Sequence, residues 1–186
     1  MIIGITGGSG TGKSSLANLL GYEVIDADCE YHKLFAENHE LKNELIDRFG
    51  TCKRKELADI VFSDKSKLEK LNEITFKYVL AAIGEKIPPK GDSIIVIDAP
   101  LLFESGLDQR CDFTIAVLAG YELRIKRIME RDNLSRENAK MRINAQKPDE
   151  FYIKSADHIV TNDGDLRATA RKLKDRIQQL QSQEFF

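Results

Sequence analysis

Gly4-Ile5-Thr6-Gly7-Gly8-Ser9-Gly10-Thr11-Gly12-Lys13-Ser14-Ser15 decides the fold, because four of the six residues from Gly7 to Gly12 are glycine and a lysine follows at once. On its N-terminal side Ile2, Ile3 and Ile5 form a short β-branched run, the composition of a strand. On its C-terminal side Leu16, Leu19 and Leu20 recur at helical spacing, which predicts a helix from Ser14 to Leu20 stopped by Gly21. Gly7 to Ser14 fits G-x-x-x-x-G-K-[ST] in the context of strand, loop and helix that the motif requires. A polyphosphate needs many donors at close range. Backbone N–H groups at a helix N-terminus supply them only where no side chain blocks the approach. Gly7 and Gly12 let the main chain curl around the anion. Gly8, Ser9, Gly10, Thr11, Gly12, Lys13, Ser14 and Ser15 are therefore the expected ATP contacts. Lys13 would face the β and γ phosphates, and the Ser14 hydroxyl would face Mg²⁺.

Further out, Tyr22-Glu23-Val24-Ile25 predicts a second strand closing on Asp26 and Asp28. A charged, helix-rich stretch follows from Cys29 to about Lys86, and Pro88-Pro89-Lys90-Gly91 is the sharpest break in the chain. Ser93 to Ile97 and Asp112 to Leu118 are continuous apolar runs, as central strands covered on both faces require. Tyr121 to Arg131 and Ser135 to Gln146 predict polar helices, His158 to Thr161 a last strand, and Asp165 to Gln181 a closing amphipathic helix. Strands alternating with helices give an α/β fold: a P-loop NTPase-type parallel sheet flanked by helices, with a helical substrate-binding insertion and a lid.

Three acids stand out at strand ends. Asp98 closes Ile94 to Ile97 and is, with Ser14, the expected magnesium ligand. Asp26 and Asp28 follow the second strand at the sheet edge where open α/β folds bind ligands. One can cap the next helix while the other accepts the proton of an attacking hydroxyl, and Asp28 is assigned the second task. Arg124, Lys126, Arg127, Arg131, Arg136 and Arg142 crowd one region, as expected of a lid that neutralises a transferring group.

The bulk numbers narrow the classes. The chain has 186 residues, enough for one α/β domain with a full core. A balance of 28 basic and 30 acidic residues offers no footprint for nucleic acid. No apolar run is long enough to cross a membrane, and no basic n-region follows Met1, so no signal peptide is expected. Cys29, Cys52 and Cys111 are odd in number and scattered, unlike a disulfide framework or zinc site, and Cys29 with His32 lacks a second ligand pair. The expectation is a reduced, cytoplasmic chain, a monomer or small homo-oligomer.

These residues resemble the dephospho-CoA kinases, over nearly the whole chain. The likeness runs through "GITGGSGTGKS", "VIDAD", "ELADIVFSD" from Glu56, "APLLFESGLD" from Ala99, "RIMERDNLSRENAKMRINAQ" and "ADHIVTNDG" from Ala156. It implies transfer of the ATP γ-phosphoryl group to the ribose 3′-hydroxyl of dephospho-CoA. It also implies a core of residues 1–28, 91–130 and 153–186, an acceptor-binding helical region 29–90 and a lid 131–152. By the family pattern Asp28 matches the base, Lys13 and Ser14 the phosphate and magnesium contacts, and Arg131 the lid arginine. Arg142 and Gln146 match the second half of the lid motif, Arg142 being counted with the acceptor contacts. Asn162 falls near the adenine. Leu101, Leu102 and Glu104 border the acceptor, and His32 sits where a basic residue is common. The chain departs from the pattern at Phe76-Lys77, where the family carries His-Pro.

Three rivals stand beside this reading. Another small-molecule or nucleotide P-loop kinase is the nearest, although adenylate-type kinases usually place a proline where Ser9 and Gly10 stand. A GTPase-like switch would carry Asn-Lys-x-Asp, which does not occur in the chain. A binder without catalysis would not need Lys13, Ser14, Asp28 and Arg131 together.

Overall fold

The computed structural model describes residues 1–62, 64–89 and 93–183. Lys90 and Gly91 of the expected break, Ser63 of the Glu56–Asp64 stretch and the last three residues of the expected core lie outside that range. In chain order the elements are β1 (Ile2–Thr6), α1 (Lys13–Leu19), β2 (Glu23–Asp26), α2 (Ala27–Glu37), α3 (His39–Phe49), α4 (Arg54–Val61) and α5 (Lys65–Lys86). They continue with β3 (Ile95–Asp98), β4 (Phe113–Leu118), α6 (Tyr121–Asp132), α7 (Arg136–Asn144), α8 (Asp149–Ser155), β5 (His158–Thr161) and α9 (Leu166–Gln183). The chain divides into two compact units, Met1–Ile25 with Lys90–Phe186, and Asp26–Pro89.

The first unit is built on a sheet of order β2-β3-β1-β4-β5. β1 pairs in parallel with β3 and β4, and β4 in parallel with β5. With neighbours on both edges and helices over both faces, β1 has no use for polar side chains, which is why Ile3 and Ile5 are fully buried. Leu16, Ala17 and Leu20 pack on them together with Leu173 and Ile177 of α9. The helical spacing of these residues is what turns one stripe of each helix onto the sheet. The register sets Ile5 opposite Asp98 and Thr6 opposite Ala116. The carboxyl ends of β3 and β1 therefore finish within one residue of each other, with β4 running two residues further, at the edge from which the glycine-rich loop departs.

The second unit is helical. Asp26 caps α2 by accepting from the Cys29 N–H at 3.0 Å, Asn38 caps α3, and Asp64 caps α5 through the Ser66 and Lys67 amides. Its core gathers Phe35, Leu41, Leu45, Leu57, Leu71 and Ile74. Glu30 is buried on α2. Desolvation would push its carboxyl up, but bonds from Lys86 at 2.6 Å and Lys33 at 3.1 Å outweigh that and hold it below the ordinary value.

The helix α8 and a 3-10 turn at Leu107–Arg110 have no counterpart in the periodicity reading. In α8 the apolar residues Phe151, Tyr152 and Ile153 are consecutive, and only Tyr152 is buried, so no helical stripe is legible. Several starts move by one or two residues, as helix ends do.

Candidate active site

The loop between β1 and α1 has the backbone that its glycines allow. Gly7 and Gly12 lie at φ of 148° and 87°, and a Cβ on Gly7 would meet the Val117 carbonyl oxygen at 2.3 Å. Side chains at these positions would be both strained and obstructed. Thr11, fully buried, ties the turn by donating its hydroxyl to the Gly8 carbonyl at 2.9 Å.

At the mouth of the loop, Lys13 leads α1 and forms a short ion pair with Asp98 at the end of β3. Asp98 is only 2 % exposed, so the lysine is its charge partner in a setting that would strongly penalise a lone carboxylate. The Ser14 hydroxyl lies 3.5 Å from the same ammonium. Lysine, hydroxyl and carboxylate thus converge at one point. Among the described residues no group of three His, Cys, Asp or Glu side chains is placed to hold a metal. A hydroxyl with one carboxylate does suit Mg²⁺, which commonly takes one or two protein oxygens and fills its octahedron with water and substrate phosphates.

Behind the loop stand the arginines of α6. Arg127 donates to the carbonyls of Gly10 and Thr11, both at 3.2 Å, and to that of Asn162 at 3.0 Å. Asn162, buried, donates to the Thr11 carbonyl at 2.7 Å. Arg124, also buried, donates to the Ser9 carbonyl at 3.0 Å. The basic cluster expected to form one moving lid is therefore split. Arg124 and Arg127 are fixtures of the loop.

Arg131, one turn further along α6, makes two 2.8 Å bonds to Asp132, whose other partner is Arg142 of α7. The Arg131 bonds, then the Arg142 charge, hold the Asp132 carboxyl below the usual range. α7 is seated by Ile125, Ile128, Ala139 and Ile143. A cavity of about 440 Å³ opens between α6 and the loop, lined by Gly10, Gly12, Ser15, Arg127, Arg131 and Asn162 among others. The structure thus brings Arg131 and Asn162 to one cavity with Gly10 and Gly12 of the loop and Ser15 of α1.

Other expected contacts are placed elsewhere. Leu101 is exposed, while Leu102 is fully buried and anchors the turn that carries its neighbours. Glu104 is half-buried with one carboxylate oxygen, Oε2, buried and unpartnered, and burial pushes its carboxyl up. Phe103 of the same turn meets Phe151 of α8 edge to face at 6.0 Å. Cys111 is not a nucleophile at neutral pH, since burial pushes its thiol up to about 12.

In the helical unit Asp28 occupies the first turn of α2, two residues past the end of β2. One turn on, the His32 Nδ1 lies 2.8 Å from the Arg54 guanidinium, which also sits 5.6 Å from the centre of the Tyr31 ring. Burial raises the Tyr31 hydroxyl. Lys77, in the place of the family's proline, pairs with Glu44 at 3.2 Å, and Tyr78 donates to the same carboxylate at 2.8 Å. Arg54 is a site neighbour that the sequence does not single out, while Arg124 and Arg127 read there only as part of a lid and not as supports of the loop. The last two carried a signal in their i, i+3 spacing on a helix otherwise rich in surface charge.

A family model described as dephospho-CoA kinase matches residues 1–168. The dephospho-CoA kinase of Fusobacterium nucleatum is 40 % identical over 185 residues, covering 94 % of this chain and 95 % of that protein. Among solved structures, TT1252 from Thermus thermophilus aligns with a TM-score of 0.80 at 35 % identity, over 97 % of both chains. The dephospho-CoA kinase from Campylobacter jejuni aligns with a TM-score of 0.66 at 32 % identity, over 95 % of this chain and 96 % of that one.

Proposed function

The chain belongs to the dephospho-CoA kinase family, and from that premise we propose how its own residues carry phosphate from ATP to the ribose 3′-hydroxyl of dephospho-CoA. The observation that carries the reading is the convergence of Lys13, Ser14 and Asp98 at the start of α1, against a loop whose carbonyls are held from behind. The loop amides and the α1 N-terminus receive the β-phosphate, and Lys13 exchanges Asp98 for β- and γ-oxygens. Ser14 and Asp98 would hold Mg²⁺, which when bound offsets charge on the phosphates. The base and ribose occupy the cavity beside Asn162 and Arg131.

Asp28 accepts the proton of the 3′-hydroxyl. A bond then forms from that oxygen to Pγ while the bond from Pγ to the β–γ bridging oxygen breaks, giving ADP and coenzyme A without a phospho-enzyme. Arg131 leaves Asp132 to neutralise the γ-group in transit. His32, Leu101, Glu104 and Arg142 border the acceptor, and Leu102 fixes the turn carrying two of them. In this reading residues 1–28, 91–130 and 153–186 are the nucleotide core, 29–90 the acceptor region and 131–152 the lid. The reaction is assigned to the cytoplasm, where ATP and the acceptor meet.

The test is mass analysis of dephospho-CoA after exposure to the protein, ATP and Mg²⁺, with one phosphate expected on the ribose 3′-oxygen. Turnover of a nucleoside monophosphate in its place overturns the acceptor assignment. Asp28→Asn is expected to lower kcat by roughly two or more orders of magnitude with ATP binding nearly unchanged. Near-normal turnover removes Asp28 from its role.

A further inference from the structure

We propose that Arg124 is a positioning residue that sets the direction of the phosphate loop's backbone dipoles and ties the loop to the segment between α7 and α8; this rests on the phosphoryl-transfer reading above. Arg124 is 5 % exposed, and each of its three guanidinium nitrogens has a different partner. Nε donates to the Ser9 carbonyl at 3.0 Å, Nη2 to the Gln146 side-chain oxygen at 3.3 Å, and Nη1 to Asp149 at 3.2 Å. Gln146 in turn holds Ser9 from both sides. Its Oε1 accepts from the Ser9 N–H at 2.8 Å, and its Nε2 donates to the Ser9 hydroxyl at 3.2 Å.

The consequence lies in the peptide plane. In a trans peptide the N–H points opposite to the C=O. With the Ser9 carbonyl turned toward Arg124, the Gly10 N–H is aimed away from it. Arg127 and Asn162 do the same one step later, drawing the Thr11 carbonyl to α6 and sending the Gly12 N–H the other way. Carbonyl oxygens repel phosphate and N–H groups attract it, so pulling the oxygens back orders the loop for an anion before one arrives. The buried positive charge behind the loop adds to that field.

The contact is also tight. A Cβ on Gly8 would meet Arg124 Nη2 at 2.3 Å, so the guanidinium fills the space under the loop. Lysine has one nitrogen and cannot serve three partners set on three sides of a planar fork. Asp149, 41 % exposed at its side chain, is the one partner that can be altered without touching the loop.

The experiment compares the parent protein, Arg124→Lys and Asp149→Asn by ADP titration, by KM for ATP and for dephospho-CoA separately, and by thermal melting. Arg124→Lys is expected to raise the ADP Kd and the KM for ATP about tenfold, the loss of one bond to a charged donor. The KM for dephospho-CoA should stay within about twofold, a split that a general loss of folding would not produce. Asp149→Asn should give the same split at roughly threefold. An unchanged ADP Kd in folded Arg124→Lys, or equal losses for both substrates, overturns the proposal. Should Arg124→Lys not fold, an unchanged ADP Kd in Asp149→Asn overturns it alone. Because ADP titration does not involve the acceptor, a wrong acceptor would show in the mass analysis and leave the Arg124 result standing.

Discussion

Arg124 and Arg131 stand two turns apart on the same helix and share a charge, a side chain and a neighbourhood, yet the protein uses them in opposite ways. Arg124 is buried and spends its donors on a loop carbonyl, an amide oxygen and one carboxylate. Arg131 has a side chain 62 % exposed and rests on the carboxylate next door in sequence. The first arrangement is costly to undo, because a buried charge stripped of partners must be desolvated alone. The second is cheap to undo, since an exposed ion pair contributes little. What separates a fixed arginine from a movable one here is therefore its partners, and helix position alone does not disclose them.

The contrast can be broken most severely at the mouth of the loop. Lys13→Ala should lower kcat/KM roughly a thousandfold and weaken ATP binding, since it removes charge both from the bound nucleotide and from the transition state. Steady-state kinetics with ADP titration checks both. Next, Arg131→Ala and Arg127→Ala should separate function from stability. The first is expected to lower kcat about a hundredfold with a Tm shifted by no more than about 1 °C. The second is expected to lower unfolding free energy by about 2–3 kcal/mol, since three carbonyl bonds to a charged group are lost. Similar melting curves for the two variants would erase the distinction.

Glu104 extends the comparison to a buried charge lacking a partner at one oxygen. Its folded value is raised by burial, so the ionised form is disfavoured and the group costs stability once pH climbs above its ordinary value of about 4.3. Glu104→Gln should raise the Tm by about 2–4 °C at pH 7 and leave it unchanged near pH 3.5, where both forms are neutral. The smallest effect belongs to Asp132. Its folded value is lowered, so its stabilisation is present above the ordinary value of about 4 and is lost as pH falls through the lowered one. Asp132→Asn should cost about 1 °C at pH 7, and the difference should vanish in acid.

The parts legible in sequence were those written in neighbouring residues. Ile2-Ile3, the glycine spacing and the Leu16, Leu19, Leu20 stripe specify strand, loop and helix within twenty residues, and the sheet follows from the same periodicities. Asp26 could be read as a cap or a reactant, and only the 3.0 Å bond to Cys29 settles it as a cap. Arg124 and Ser9 are 115 residues apart, and no local pattern announces a hydrogen bond across that separation. Leu102 likewise reads as one of two equivalent leucines, although one is fully buried and the other 46 % exposed. The residues that do chemistry are spelled in motifs, while those that aim them are specified by packing.

The Gln146 side chain gives the Ser9 amide a neutral oxygen to bond. An arriving phosphate at that position would compete with an internal ligand, one carrying no charge and therefore readily displaced by a polyanion. A small anion such as sulfate reaches fewer loop amides at once than a nucleotide's polyphosphate tail, so it would gain less by displacing that oxygen.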